Sequence, residues 1–442
     1  MAVSGARTHG YGGGLRRLTM AESAKSSFPA SLATNGARSA WAPLGEPLFR
    51  SLWIAAVISY TGTWMQNVGA GWMMTQLTMS PLMVGLVQAA STLPVFLVIL
   101  PAGALADMVD RRRFLLLTQG WMVLAAGALG TLTLLHEVGP WTLLLFTFLL
   151  GLGAVMNDPA WQAITPEIVS PEQHASAVAL NSVGFNVARA VGPALGGMVV
   201  AAAGSGIAFL LNAASFFGVI FFLYHWKRPQ VEAIESGPVS DALLAGLRYL
   251  RGAPLVQCVL IRTGAFSLAA SSLLALLPLL ARPHGASGYG MLLGSFGLGA
   301  LAGGAALPRL RDRLSVDGLV AGAIVLFAGM VFAAGRVQEF GWLNLVLFLS
   351  GTAWIGILAC LNVAAQTMSP PWLRARALSL YLLVLQGGMA VGSAAWGALA
   401  NRIGVPSALA CSAVALLVGL WTVRRYRLTE EELELAPAVV RD

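Results

Sequence analysis

A chain of 442 residues that is 57% hydrophobic and only 10% charged, with a mean hydropathy of +0.75, is too apolar for a soluble fold and reads as a membrane protein. Its net charge of +8 and pI near 9.9 fit a nucleic-acid binder in sign alone, because the basic residues are dispersed among short segments rather than gathered on one soluble face. That excludes nucleic acid as a partner and leaves anionic lipid. Cys258, Cys360 and Cys411 each stand alone in an apolar run, so neither a disulfide framework nor a thiolate metal site is expected.

Residues 1–49 are rich in Ala, Ser, Gly and Arg and lack both periodicity and the apolar stretch of a cleavable signal. They read as a disordered cytoplasmic leader, within which Met20 is a second candidate start. Twelve segments then reach the roughly 20 apolar residues needed to cross a bilayer. They run over 52–76, 82–106, 114–135, 141–164, 175–202, 206–224, 256–281, 288–308, 317–335, 341–365, 374–400 and 405–423. Between the sixth and seventh lies 225–255, whose stretch SDALLAGLRYLRG puts Leu243, Leu247 and Leu250 on one helical face beside Arg248 and Arg251, as suits a membrane surface. The expected organisation is a six-helix bundle over 50–224, a cytoplasmic linker over 225–255, a second bundle over 256–424, and a solvated tail over 425–442 carrying Glu430, Glu431, Glu432 and Glu434.

Short loops rich in Lys and Arg stay in the cytoplasm. With the N-terminus inside, 22 of the 27 basic residues fall on the cytoplasmic side, three (Arg282, Arg336 and Arg402) on the other, and two (Arg189 and Arg262) within spans. Both termini are therefore expected in the cytoplasm. Arg262, about six residues into its span, is within snorkelling range of head groups.

The halves resemble each other. Aligning 177–197 with 377–397 matches Ala177, Leu180, Ala190, Val191, Gly192, Ala194 and Gly197, and the loops carrying Asp107 and Asp312 pair at the similar offset of 205. Internal repeats of this kind build many transporters.

GALADMVDRRR, residues 103–113, resembles the signature between spans two and three of the major facilitator superfamily, differing from it at Met108 and Asp110. ARAVGPALGG, residues 188–197, resembles the fifth-span Gly-Pro signature of exporters in that superfamily, and Asn157 through Gly197 resembles the branch holding the enterobactin exporters and the transmembrane secretion effectors. The resemblance implies an all-α fold of twelve transmembrane helices in two pseudo-symmetric six-helix bundles, in a bacterial inner membrane. It further implies that Gly103, Asp107, Arg111, Arg112, Arg374 and Arg376 form a gating motif that latches the halves in one state. A plain loop anchor is the alternative reading.

Asp158 is the single carboxylate inside a long apolar segment, and in hydrocarbon such a group marks a pathway or a buried pair. Ser182, Asn186, Arg189 and Pro193 follow at intervals of three or four on one face of the fifth span. Asp158 and Arg189 are accordingly expected to form a conditional ion pair lining a central cavity, the acid taking up a proton as access alternates. A permanent structural pair is the alternative. Gly192, Pro193, Gly196 and Gly197 predict close helix approach and a kink, either as a hinge or as plain packing. Candidate cavity residues are Trp64, Gln66, Gln88, Asn157, Gln162, Asn186, Asn362, Gln366 and Gln386, a pool that fits an uncharged or moderately apolar solute. The first span carries no acid, although many proton-coupled members of the superfamily place one there.

No phosphate-cradling loop exists and the chain has two lysines, so any transport is secondary, with no cofactor and no metal; His136 and Glu137 lack the i, i+4 partner of a zinc helix. No cluster of nucleophiles or acids points to an enzyme. The sequence thus reads as a monomeric secondary transporter exporting a small organic molecule, siderophore- or drug-like, by proton antiport. An importer of the same fold and a nontransporting receptor or scaffold are the alternatives.

Overall fold

A computed structural model of the chain describes residues 40–108, 110–226, 253–369 and 374–425, with backbone alone at 100–108, 375 and 424–425. Most of the expected leader, the linker with its amphipathic stretch, and the tail from residue 426 lie outside the described residues. What is described is helical: α1 (Pro47–Leu77), α2 (Pro81–Met108), α3 (Arg111–Leu134), α4 (Pro140–Ile168), one long element over His174–His225, α7 (Pro254–Leu280), α8 (Gly285–Arg311), α9 (Val316–Ala334), α10 (Phe340–Thr367), α11 (Arg374–Ile403) and α12 (Val405–Arg425).

The long element breaks at Gly204, whose φ of 81° lies in the left-handed region that only glycine adopts readily. It is therefore two helices, α5 over 174–203 and α6 over 205–225. Gly404, with φ 83°, makes the same break between α11 and α12, 200 residues later. Caps recur in step as well: Asp110 accepts from the amide of Arg113 to start α3, and Ser315 accepts from Gly318 to start α9, 205 residues on. The internal repeat read from sequence is thus a repeat of helix boundaries.

Ten elements are long and apolar enough to cross a membrane, with α5 and α6 counted as one. The first helix falls short because its middle carries Ser59, Tyr60, Thr61, Thr63, Gln66 and Asn67, which must face protein or water in hydrocarbon. Large apolar side chains such as Leu117, Leu124, Phe217, Phe221, Val418 and Trp421 stand exposed, as lipid contact requires of a multi-pass protein.

The cores are separate apart from a small cluster of Val200, Ala208 and Ala286 that joins the halves. The largest buried cluster draws on Val259 through Val423, with Val68 its one member from the first half, and the next three draw on Phe49 through Trp226. Within each half, glycines let backbones meet. Gly192 and Gly196 of α5 face Trp64 and Met65 of α1, Gly388 and Gly392 of α11 face Ser267 and Leu268 of α7, and Gly299 and Gly351 bring α8 against α10.

Arg262 departs from its expected place. It is 3% exposed and donates to Asp317 at 2.6 Å, tying α7 to the first turn of α9. A carboxylate on that turn reaches inward to the guanidinium, so the side chain is buried in protein instead of rising to head groups.

Candidate functional site

Polar residues of α1 meet those of α2, α5 and α6 at the centre of the molecule, and helices α7, α8 and α11 close the other side. Between them lies a cavity of about 370 Å³. Of the nine expected substrate contacts, Trp64, Gln66, Gln88 and Gln386 line it, and so do Arg189 and Pro193. Asn67, Tyr289, Asn212 and the hydroxyl residues Thr63, Ser91, Thr92 and Thr147 join them.

Five expected contacts lie elsewhere. Asn157 is buried and accepts from Gln119 at 3.1 Å, fastening α4 to α3. Asn186 donates to the Ser182 carbonyl of its own helix at 2.8 Å. Gln366 donates to Asn362 at 2.6 Å, so this pair satisfies itself on α10. Gln162 is exposed on the face it shares with Asp158. Each was chosen for polarity inside an apolar span, which fixes depth in the membrane but not the direction of the side chain.

Gln66 is held in place as well as exposed to the cavity: Asn212 of α6 donates to its side-chain carbonyl, and both residues are buried. Arg189 lies over the ring of Trp64, 5.9 Å from its centroid. Trp64 in turn meets Phe185 edge-on, and Phe185 meets Tyr60 at 5.4 Å. Among the described residues Asp158 and Arg189 are not ion-paired, and the guanidinium instead sits at the end of a run of rings, Trp64, Phe185 and Tyr60. Sequence reasoning missed Tyr60 and Phe185, although Tyr60 stands four residues before Trp64 and Phe185 four before Arg189, the spacing that puts each couple on one helix face.

The two halves meet at the end that carries the α1–α2 and α7–α8 turns. A methyl group built on Gly197 would lie 2.7 Å from the Ala286 carbonyl oxygen and 2.9 Å from the Gly290 Cα, so α5 and α8 touch through backbone. A methyl built on Gly397 would lie 3.0 Å from the Pro81 carbonyl oxygen and 3.1 Å from the Leu82 Cα, the counterpart contact between α11 and α2. Arg282 donates to the carbonyls of Thr75 at 2.8 Å and Thr78 at 2.9 Å, capping the C-terminus of α1 from the other half. Ser80 and Asn401 add a hydrogen bond of 3.2 Å. These hydrogen bonds between the halves gather at one end, which they and the glycine contacts seal.

The expected gating residues lie at the opposite end. Arg111 pairs with Glu167 at 2.9 Å, and Arg112 donates to the Leu223 and Tyr224 carbonyls at the end of α6, so both fasten helices of the first half. Gly103 and Asp107 fall where only the backbone is described. Arg374 is exposed and Arg376 half-buried at the start of α11.

A model of the family described as transmembrane secretion effector matches residues 38–439. The chain is 28% identical over 400 residues to the enterobactin exporter EntS of Salmonella typhi, covering 87% of this chain and 95% of that one. To the enterobactin exporter EntS of Escherichia coli (strain SMS-3-5 / SECEC) it is 28% identical over 412 residues, covering 88% and 95%. Among solved structures it resembles the nucleoside transporter NupG, with a TM-score of 0.67 and 12% identity over 87% of this chain and 100% of that one. It also resembles a bacterial homolog to human lysosomal transporter Spinster in an inward-facing and unoccupied conformation, with a TM-score of 0.62 and 13% identity over 91% of this chain and 98% of that one. At such identity the solved structures speak to the fold alone.

Proposed function

Because the chain belongs to the transmembrane secretion effector family of major facilitator transporters, we propose that it exports a small organic molecule across a bacterial inner membrane by proton antiport, with both termini in the cytoplasm. The observation that carries this reading is the central cavity, polar on one wall and aromatic on another, closed at one end by contacts between two separately cored halves. With the sealed end outside, as the distribution of Lys and Arg favours, the cavity belongs to a state that receives solute from the cytoplasm. Rocking of the halves, residues 50–224 against 256–424 as a monomer, then presents it to the other side.

Asp158 is the proposed proton carrier. An ionised carboxylate in hydrocarbon needs a partner or water, so approach to Arg189 in another state would accompany release of its proton. Asp107, Arg374 and Arg376 are proposed to latch the opposite end when that state forms. The relatives named enterobactin exporters favour export over import.

Everted membrane vesicles from cells producing the chain test this directly. With an imposed proton gradient, acid inside, uptake of at least one member of a panel of siderophores, macrolides and dyes is expected above vesicles lacking the protein. Uptake confined to right-side-out vesicles would favour the importer, and no flux in either orientation would leave a nontransporting receptor.

A further inference from the structure

The class of molecule is written in the charges around the cavity. Of the residues that line it, Arg189 alone carries a formal charge. No carboxylate offsets it there, and its guanidinium rests on the Trp64 ring without a hydrogen bond to any described residue. A cation facing a low-dielectric cavity without a counter-ion attracts an anion. Four further groups face the same space with hydrogen-bonding capacity unused among the described residues: the amides of Asn67, Gln88 and Gln386 and the hydroxyl of Tyr289. Phe216 and Phe296 supply apolar rings beside them.

We infer that the cavity is built for an aromatic molecule bearing one negative charge, an aryl carboxylate in type, with its anionic group on Arg189. The planar, fixed donors of a guanidinium suit a carboxylate in particular, and Trp64 under the cation is placed to stack on a flat ring. The amides and the phenol then hold neutral oxygens further along the molecule. This replaces the uncharged solute that polar residues alone had favoured at the level of sequence. The inference rests on the transport reading only in taking the cavity as the place where substrate sits.

Equilibrium binding to the purified full chain in lipid nanodiscs, followed by tryptophan fluorescence at neutral pH without any gradient, separates the two claims. Naphthoate, naphthamide and naphthylmethylammonium share size and ring but differ in charge. Naphthoate is expected to bind about tenfold or more tighter than naphthamide, the ratio that a charge-assisted hydrogen bond gives, with the ammonium weakest. Arg189→Gln should erase the preference and Arg189→Lys retain part of it, both variants eluting as folded protein. Amide or ammonium binding as tightly as naphthoate, no binding of naphthoate at all, or a preference that survives Arg189→Gln would overturn the site. Selective binding combined with absent flux in vesicles would instead sink the transport reading and leave the site standing.

Discussion

Replacing Gly197 by leucine is expected to abolish net transport while leaving a folded protein in the membrane. The argument is steric. A Cβ at this position already falls 2.7 Å from the Ala286 carbonyl and 2.9 Å from the Gly290 Cα, both on the helix of the other half, and neither is a flexible side chain that could give way. Overpacking of this kind costs about 1–3 kcal/mol. Nearly all of that falls on the sealed state, because α5 keeps its contacts with α1 through Gly192 and Gly196, on another face of the helix. The equilibrium between states should move by roughly 5- to 150-fold against sealing. Gly290→Leu, on the facing helix, should do the same. Labelling of a cysteine in the cavity by a membrane-impermeant thiol reagent from the periplasmic side would rise in both variants. Wild-type transport by either variant would show that the seam need not close.

Asp158→Asn is expected to remove gradient-driven accumulation while sparing passive exchange. The carboxamide has nearly the shape of the acid but neither gains nor loses a proton, and it spares the helix a charge that costs several kcal/mol in hydrocarbon. In everted vesicles its uptake should fall to the level of wild-type vesicles whose proton gradient has been collapsed. Exchange of labelled for unlabelled substrate, which needs no net proton movement, should continue. Gradient-dependent uptake at the wild-type rate would remove Asp158 from the coupling step. A collapse of exchange as well would identify it as part of the packing between α4 and α1.

Much of the fold was legible because hydrocarbon permits so few solutions. Runs of about 20 apolar residues must be helices that satisfy their own backbone, and the offsets of 200 and 205 between the halves reappear at Gly204 and Gly404 and at the caps Asp110 and Ser315. The glycines at 192, 196 and 197 were read as places of close approach, yet only the structure divides them between a seam inside one half and a seam between halves. Sequence gives the depth of a residue along a helix but not which neighbour its side chain meets. That is why Asn157, Asn362 and Gln366, sound choices by polarity, turned out to bond to protein. It is also why Asp158 and Arg189, expected to pair across adjacent spans, are not paired, the guanidinium lying over the Trp64 ring instead. The contact of Arg282 with Thr75 and Thr78 joins residues more than 200 positions apart and carries no local signature at all.

Reversal of the sealed end is the claim on which the rest depends. Spin labels at His136→Cys and Arg336→Cys, exposed turns of the two halves at that end, report it in a chain whose three native cysteines are replaced. A short distance should dominate the unliganded protein at neutral pH, and a second, longer one should grow in when protons and substrate are supplied. Arg282→Ala, which removes a cation from a helix C-terminus at a cost of about 1–2 kcal/mol, should raise the longer population by roughly 5- to 30-fold. One unchanged distance under every condition and in the variant would contradict alternating access in this protein.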